Sequence, residues 1–362
     1  MERTLQISRS LVRAGHRCTI LTTDTGLSPD YLKQYRQWGL TVFALPSLWQ
    51  RFYLPKPSQD LIKRLVADAD VVNLMCHWSL INAMVYRVVT KLAKPYTVCP
   101  AGALPIFVRS KVLKKLYNHF IGRKIIHDAN GCIAVSHNEI DHFKSYGVQP
   151  DKVSVIPNGI NPADYPESDG KKFRALYSIG DAPFILFLGR LNFIKGPDML
   201  LEAFCRCSHD ACMKAYHLVF AGPDEGMLNK LRRMVEASGL KDRVHFTSYI
   251  SGAEKSDACR AASLLAIPSR QEAMSIAVLE AGITGIPVLI TDRCGFNDVA
   301  MVAGGMVVPA SIEGLQKGLL SMTRDPERLQ SMGQNLEAYT REHFLWDYAA
   351  NQYLELFSRI MC

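Results

Sequence analysis

The sequence lacks long apolar runs, a signal-peptide pattern and paired cysteines. No apolar run among its 362 residues approaches the roughly 20 residues that a membrane-spanning helix needs. The opening residues MERTLQISRSLVRAGHR carry too many charges for the apolar core of a signal peptide. The ten cysteines are scattered, without the CxxC pairs of zinc sites, so we interpret them as reduced thiols of a cytosolic protein.

An excess of positive charge is confined to the first half of the chain. Residues 1–165 hold 21 Lys and Arg against 11 Asp and Glu, which is +10, whereas the remainder holds 21 against 23, which is −2. A basic half suits an anionic partner such as a phospholipid surface or a lipid-linked diphosphate, and a merely soluble basic face is the alternative. No recognisable nucleic-acid motif accompanies the charge, so we predict no nucleic-acid partner.

Short β-rich runs alternate with helical stretches almost throughout, which predicts parallel sheets covered by helices. Each half of the chain offers six strands. The predicted strands are Cys18–Asp24, Leu40–Pro46, Asp70–Cys76, Pro95–Ala101, Ala129–Ser136, Val153–Pro157, Phe184–Gly189, His217–Gly222, Arg243–Tyr249, Ser263–Pro268, Pro287–Thr291 and Met306–Pro309.

A turn-rich segment separates the two halves. Residues 158–170 contain two prolines and two glycines, so they cannot continue a helix or a central strand. We predict an α/β protein with two doubly wound, Rossmann-like domains facing a central cleft. Their predicted ranges are 1–165 and 166–344, and a C-terminal helix over 345–362 is expected to pack back on the first domain.

The first element is unusual for such a domain because its pattern is helical. Leu5, Leu11 and Val12 have near-helical spacing, and Gly15 ends the pattern. A doubly wound domain normally opens with the strand at the middle of its sheet. We therefore expect a missing first strand and turn, through a misplaced start codon or an N-terminal truncation. A domain that begins with a helix is the alternative.

The second half of the chain carries the residues best suited to bind a ligand. Gly189 and Arg190 end a predicted strand, and Lys195 follows just before a helix. Basic side chains at the carboxyl end of a parallel strand, beside a helix N-terminus, suit an anionic ligand such as a diphosphate. A solvated basic pair in a loop is the alternative.

Two glutamates follow a later strand. Glu272 lies at a loop–helix boundary, and Glu280 lies in the apolar run Ile276–Ile283. A carboxylate in such surroundings needs a hydrogen-bonding partner. A ribose diol and a buried basic residue are equally good candidates.

With these motifs the sequence resembles glycosyltransferase family 4, whose members have the two-Rossmann GT-B fold. The resemblance covers almost the whole chain. It rests on Leu11–Asp24, Val155-Ile-Pro-Asn-Gly-Ile160, Gly189-Arg-Leu-x-x-x-Lys-Gly196, the glutamates seven residues apart and Ile286–Asp292.

The resemblance implies a role for each motif residue. Arg190 and Lys195 would hold the donor diphosphate and support the leaving group, Glu272 would contact hydroxyls of the transferred sugar, and Glu280 would take the ribose. The backbone around Tyr249 and Ile250 would contact the base.

The start of the following helix would bind phosphate. The resemblance places the backbone amides of Met274, Ser275 and Ile276 toward the phosphates. Relatives often carry Phe-Gly where Met274-Ser275 stands, so we expect phosphate binding to persist and the sugar pocket to differ.

The resemblance also implies a retaining enzyme that needs no metal and no cofactor, because basic side chains stabilise the leaving diphosphate. Asp68 and Asp70 do form a DxD tripeptide, which marks metal-dependent transferases of another fold. They precede a strand, at the end of the sheet where open α/β folds do not bind ligands, so we interpret them as a solvated turn.

The first domain is expected to hold the acceptor. His77 ends a strand on the ligand side and either contacts a sugar or simply packs at the strand end. Many relatives carry a histidine after the next strand, where Ala101 stands here. A basic amphipathic stretch follows over 109–124 and predicts either an ordinary surface helix or a membrane-surface helix.

These observations predict a retaining hexosyltransferase-type enzyme. It would move a sugar from a nucleoside-diphosphate sugar to a saccharide or lipid-linked acceptor, in surface polysaccharide or lipopolysaccharide assembly, with peripheral contact to an anionic inner membrane face. The alternative is a nucleotide-sugar-binding protein without transferase activity.

Overall fold

The computed structural model describes residues 2–49, 54–106 and 110–361. The chain divides into two compact units: the first combines Met1–Asn158 with Trp346–Cys362, and the second is Gly159–Leu345. The first boundary therefore falls at residue 158 instead of 165. The reason is Tyr165, whose hydroxyl and carbonyl bond to Glu280 and Arg260 of the second unit.

The strands of the first unit form three separate sheets. Two parallel strands pair with each other, a short antiparallel hairpin follows, and four further parallel strands pair in chain order. The strands are β1 (Thr19–Thr23), β2 (Thr41–Leu45), β3 (Ser47–Trp49), β4 (Leu54–Pro55), β5 (Val72–Met75), β6 (Tyr96–Cys99), β7 (Gly131–Ala134) and β8 (Val153–Val155). In the described part of the chain no strand pair joins β1–β2 to β5–β8.

The first unit begins with a helix, as the apolar spacing predicted. Leu5 and Leu11 are buried, and the helix ends at Arg13, before Gly15 with its positive φ of 91°. The helices of this unit are α1 (Glu2–Arg13), α2 (Pro29–Gln37), α3 (Gln59–Asp68), α4 (Leu80–Lys91), α5 (Lys111–Tyr117), α6 (Arg123–His127), α7 (Ile140–Lys144) and the C-terminal helix Trp346–Met361. A π-helical turn, Asn118–Gly122, joins α5 to α6.

The second unit has one parallel sheet of six strands. In chain order these are β9 (Phe184–Leu188), β10 (His217–Ala221), β11 (Val244–Ser248), β12 (Leu264–Ile267), β13 (Val288–Thr291) and β14 (Gly305–Val308). Their order across the sheet is β11-β10-β9-β12-β13-β14. This is the doubly wound 3-2-1-4-5-6 arrangement: β10 and β11 are added on one side of β9, and β12, β13 and β14 on the other.

Eight helices are described in this unit, and the four central strands of its sheet are almost entirely buried, as in parallel sheets covered by helices. The apolar runs Phe-Ile-Leu-Phe and Leu-Leu-Ala-Ile of β9 and β12 are therefore continuous and not alternating. The helices are α8 (Lys171–Leu176), α9 (Pro197–Cys207), α10 (Leu228–Ser238), α11 (Gly252–Ala261), α12 (Ile276–Ile283), α13 (Asp298–Met301), α14 (Ile312–Thr323) and α15 (Pro326–His343). We call the C-terminal helix α16.

None of the described helices combines the length and the apolar composition needed to span a membrane. The nine described cysteines are all free thiols, as predicted from their scattered spacing.

Candidate functional site

The predicted residues Arg190, Lys195 and Glu272 lie on loops at the carboxyl ends of β9 and β12. These strands are neighbours in the sheet, and open α/β sheets bind ligands at this switch point. The two loops pack closely: the Arg270 N–H donates to the Ile194 carbonyl at 2.7 Å. Only glycine fits at position 196, where φ is +68° and an added Cβ would overlap the Pro268 carbonyl oxygen.

The loop after β10 is bonded to the loop after β9. The Leu191 N–H donates to the Pro223 carbonyl at 2.9 Å, and the Glu225 N–H donates to the Leu191 carbonyl at 3.2 Å. A Cβ on Gly222 would overlap the carbonyl oxygen of Gly189. Residues 189–192 and 222–225 therefore form one interlocked pair of turns.

Arg190 already holds an anionic partner in this structure. Its Nη1 atom lies 3.0 and 3.1 Å from the two carboxylate oxygens of Glu225, and the Asn192 amide donates to the same carboxylate at 2.8 Å. Both charged side chains are about half exposed. The guanidinium is thus accessible at the switch point and paired with a group that a ligand can replace.

Lys195 pairs with the predicted sugar-contacting residue, Glu272. The Lys195 Nζ lies 2.7 Å from the Glu272 Oε2, and Ser269 Oγ donates to Glu272 Oε1. The Lys195 and Glu272 side chains are only 23% and 10% exposed. Sequence reasoning placed both residues in the site, and the structure brings them into direct contact.

The start of α12 carries an unsatisfied hydroxyl. Ser275 is the N-cap residue, fully buried, yet its side chain makes no capping bond, and Oγ has no hydrogen-bond partner among the described residues. The first N–H groups of a helix lack intrahelical acceptors, but the Ser275 N–H already donates to the Cys294 carbonyl at 3.1 Å. Phosphate binding by the backbone amides of Met274, Ser275 and Ile276 therefore stays a prediction.

Glu280 has two partners. The Tyr165 hydroxyl donates to Glu280 Oε1 at 2.7 Å, and the Lys255 Nζ lies 2.6 Å from the same oxygen. Burial and the neighbouring carboxylate raise the pKa of Tyr165, which keeps its hydroxyl a donor. A basic partner, the alternative considered from sequence, is therefore present, although the Lys255 side chain is 26% exposed and not buried. Both contacts involve Oε1 and neither involves Oε2. The binding of ribose by Glu280 stays a prediction.

The predicted base contact involves two unlike neighbours after β11. Ile250 is buried, whereas Tyr249 is 67% exposed. Any contact from Ile250 would therefore involve its backbone, as the sequence analysis expected.

His77 in the first unit is buried, with 1% of its surface exposed. Its Nε2 lies 2.8 Å from Asn118 Oδ1, the Asn118 amide donates to the Tyr146 hydroxyl at 2.7 Å, and that hydroxyl donates to the Leu104 carbonyl at 3.1 Å. Burial lowers the pKa of His77 to about 4, against the smaller opposing effect of the Asn118 bond. The imidazole is not accessible to a sugar here, so the packed alternative describes it.

These bonds anchor the loop after β6, where Ala101 stands in place of a histidine. Ala101 is exposed and has a left-handed φ of 48°. The buried carboxylate of Glu139 accepts the Gly102 N–H at 2.5 Å and the Val135 N–H at 2.7 Å, and the Trp78 indole donates to the Ala103 carbonyl. The buried Glu139 carboxylate and the Trp78 indole thus hold the backbone of this loop, while Ala101 is exposed to solvent.

The DxD tripeptide lies where the sequence analysis put it. Asp68 ends α3 and Asp70 precedes β5, both exposed at the amino end of the sheet. Among the described residues, no group of three His, Cys, Asp or Glu side chains has an arrangement suited to a metal ion.

The basic amphipathic stretch exposes apolar side chains. Arg109 lies outside the described residues. Val112 and Phe120 are each 71% exposed, and Leu113 and Leu116 are exposed between Lys111, Lys114 and Lys115. We call residues 111–124 the basic amphipathic segment.

Sequence reasoning missed the partners of the site residues. No motif pointed to Glu225, and Tyr165 and Lys255 are separated from Glu280 by 115 and 25 positions. The only available signal was the isolated carboxylate in an apolar helix, which required some partner without naming it.

Comparisons with known proteins cover both units. The family profile described as Glycosyltransferase Family 4 matches residues 2–164, and the one described as Glycosyl transferases group 1 matches residues 169–339.

Among individual relatives, a D-inositol 3-phosphate glycosyltransferase of Gordonia bronchialis is 28% identical over 253 residues, covering 66% of this chain and 54% of that protein. The chain thus spans about half the length of this relative. The D-rhamnosyltransferase WbpZ of Pseudomonas aeruginosa is 26% identical over 287 residues, covering 78% of this chain and 71% of that protein.

Solved structures show the same fold. Anabaena Alr3699/HepE in complex with UDP and glucose superposes with a TM-score of 0.78 at 18% identity, covering 98% of this chain and 94% of that one. WaaG, a glycosyltransferase involved in lipopolysaccharide biosynthesis, superposes with a TM-score of 0.67 at 20% identity, covering 97% and 95%. With parallel, helix-connected strands in both units and both halves matched, the chain belongs to glycosyltransferase family 4 and has the GT-B fold.

Proposed function

We propose that the chain is a retaining glycosyltransferase that moves a sugar from a nucleoside-diphosphate sugar to a saccharide or lipid-linked acceptor. One observation carries the proposal. The basic side chains Arg190 and Lys195 and the carboxylate of Glu272 lie on neighbouring loops at the switch point of a doubly wound sheet, and the helix that follows Glu272 begins at Ile276. This set matches a ligand that is anionic at its diphosphate and polar at its sugar.

Each residue then has one task. Arg190 and Lys195 bind the diphosphate and stabilise the charge that develops on it as the glycosidic bond breaks. Glu272, freed from Lys195 by the ligand, accepts hydrogen bonds from sugar hydroxyls. Glu280 keeps Tyr165 and Lys255 on Oε1 and offers Oε2 to the ribose. The leaving phosphate helps to deprotonate the acceptor.

The named relatives support a hexosyl-type donor and an acceptor in surface glycan assembly. The Alr3699/HepE structure contains UDP and glucose, and WbpZ and WaaG are a rhamnosyltransferase and a lipopolysaccharide enzyme.

The test is a thermal-shift panel of UDP-, GDP-, ADP- and dTDP-sugars. We expect one nucleotide class to raise the melting temperature, and we expect the Glu280→Gln variant to lose that shift, because the amide keeps a Tyr165 acceptor and weakens ribose binding. Glu254→Gln is the matched control, since Glu254 accepts from Tyr177 at 2.8 Å elsewhere in the same unit. Equal shifts in both variants would contradict the ribose role.

A non-catalytic nucleotide-sugar-binding protein is the second candidate, because Ala101 stands where many relatives carry a histidine. The two candidates differ in turnover. Release of nucleoside diphosphate from the stabilising donor, measured with a coupled assay and a panel of saccharide and lipid acceptors, would support the transferase. Stabilisation without release would support the binding protein.

We also propose that the basic amphipathic segment contacts an anionic membrane at its inner, cytoplasmic face. Tyr117 and Ile121 pack against the core of the first unit, but Val112, Leu113, Leu116 and Phe120 are exposed. Lysines flank these exposed apolar side chains, which is the composition of a membrane-surface helix. Flotation with vesicles containing phosphatidylglycerol should retain the protein and should weaken with added salt. Lys114→Glu with Lys115→Glu should reduce flotation, whereas the exposed Lys241→Glu of the second unit should not.

A further inference from the structure

Both basic residues of the proposed donor site are neutralised by carboxylates before any ligand arrives. Arg190 pairs with Glu225 and Lys195 pairs with Glu272. The two pairs differ in exposure. The Lys195 pair is largely enclosed, and its carboxylate has a task of its own toward the sugar. The Arg190 pair is half exposed, and the proposed function leaves Glu225 without a role.

The position of Glu225 is fixed by its backbone. The Glu225 N–H donates to the Leu191 carbonyl, and the preceding residue, Asp224, accepts three N–H bonds from residues 226–228 at 2.8–3.0 Å. Asn192 holds the Glu225 carboxylate from the opposite turn. The Glu225 side chain therefore loses little conformational entropy when it pairs with Arg190. This small entropy cost strengthens an ion pair that solvent exposure would otherwise weaken.

We infer that Glu225 competes with the donor diphosphate for Arg190 and thereby weakens retention of the nucleoside diphosphate. This inference rests on the proposed function. The carboxylate occupies Arg190 Nη1, so a diphosphate that binds this nitrogen must displace it. When the sugar has been transferred, the carboxylate takes Arg190 back as the nucleoside diphosphate leaves. No bond is made or broken; one anion replaces another at the same cation.

The competition has a defined sign. A residue that merely oriented Arg190 toward the phosphates would strengthen nucleotide binding, so its neutralisation would weaken binding. A competitor weakens nucleotide binding, so its neutralisation strengthens binding. The direction of the change in Kd therefore separates the two roles.

The experiment is isothermal titration of UDP, GDP and inorganic pyrophosphate into the full chain and its Glu225→Gln variant at low ionic strength. We expect the variant to bind the preferred nucleoside diphosphate roughly 2–5-fold more tightly, the range that an exposed but ordered ion pair supports. Glu313→Gln is the matched control, because Glu313 pairs with Arg206 at 3.0 Å in the same unit, and it should leave Kd unchanged.

A second comparison links the effect to Arg190. In an Arg190→Gln background, Glu225→Gln should no longer tighten binding, because the contested cation is gone. An unchanged or larger Kd in Glu225→Gln, with wild-type binding intact, would overturn the competition and leave the donor site standing. Absence of nucleotide binding by a folded wild-type chain would overturn the proposed function and this inference together.

Discussion

The two units use polar side chains in opposite ways at the carboxyl ends of their strands. In the second unit, Arg190, Lys195 and Glu272 lie on loops in contacts that a ligand can replace. In the first unit, His77 and Glu139 are buried and hold backbone loops in place. The difference teaches that a polar residue at the carboxyl end of a strand indicates a ligand site only where a ligand could replace its present hydrogen-bonding or ion-pair partner. Four substitutions can break or sharpen this comparison.

The largest effect is expected in the first unit, at Arg3. This buried side chain donates to the Ile156 and Pro157 carbonyls, to Asn158 and to the Tyr353 hydroxyl, at 2.8–3.3 Å. Arg3→Ala leaves these acceptors unsatisfied, so we expect the free energy of unfolding to fall by about 3–5 kcal/mol. Differential scanning calorimetry should show the first unit melting earlier.

The control for Arg3 is Arg13→Ala, at an exposed position of the same helix. It should change the free energy of unfolding by less than about 0.5 kcal/mol. A nucleotide-induced shift that survives in Arg3→Ala would locate the donor site in the second unit. Equal destabilisation by both variants would contradict the role of the buried arginine.

The next effect depends on pH and on His77. Its pKa is about 4 in the folded chain, below the ordinary value of 6.5, because the ring is buried. Between these values the unfolded chain binds a proton that the folded chain does not, so stability is present above pH 6.5 and is lost as the pH falls toward 4. We expect wild type to lose up to about 3 kcal/mol more than His77→Gln between pH 7 and 4.

Urea unfolding of both proteins across this pH range measures the difference. The contributions of the carboxylates to the pH dependence are the same in both proteins and cancel in the comparison. Parallel pH profiles would show that the ring is not shielded from protonation.

A smaller effect of opposite sign is expected at Ser275. Removal of a buried hydroxyl without a partner relieves a desolvation cost, so Ser275→Ala should raise the free energy of unfolding by about 1 kcal/mol. Ser311 is the matched control, because its hydroxyl accepts the Gly314 N–H at 3.0 Å as an N-cap. Ser311→Ala should cost about 1 kcal/mol. Chemical denaturation of both variants tests whether their signs differ.

The smallest stability effect is expected at Arg190. Its ion pair with Glu225 is half exposed, so Arg190→Ala should change the free energy of unfolding by less than about 1 kcal/mol. The nucleotide-induced thermal shift should nevertheless become clearly smaller. Arg206→Ala, which removes a similarly exposed ion-paired arginine, should keep the shift. Loss of the shift in both variants would contradict a specific role for Arg190.

The sheet architecture was predictable because buried parallel strands read as short apolar runs between helical patterns. All twelve predicted strands are present, and the predicted strand ends differ from the observed ends by no more than two residues. The hairpin of β3 and β4 was missed, since strands of three and two residues carry too little pattern.

The site was predictable only in part. Motif spacing placed Arg190, Lys195 and Glu272 on neighbouring loops, because the carboxyl ends of β9 and β12 meet at one edge. The ion pair between Lys195 and Glu272 depends on side-chain reach across two loops, which spacing does not encode. The orientation of His77 depends on Asn118, which the π-helical turn carries inward.

The second unit is inserted between the two parts of the first, and this has a consequence for synthesis. The helix α1 packs on α16, and Arg3 bonds to Tyr353, 350 positions later. At an elongation rate of about 5–20 residues per second, α16 is synthesised on the order of ten seconds or more after α1. The second unit is complete by then. Nascent chains should therefore acquire the nucleotide-binding sheet first and close the amino-terminal core last.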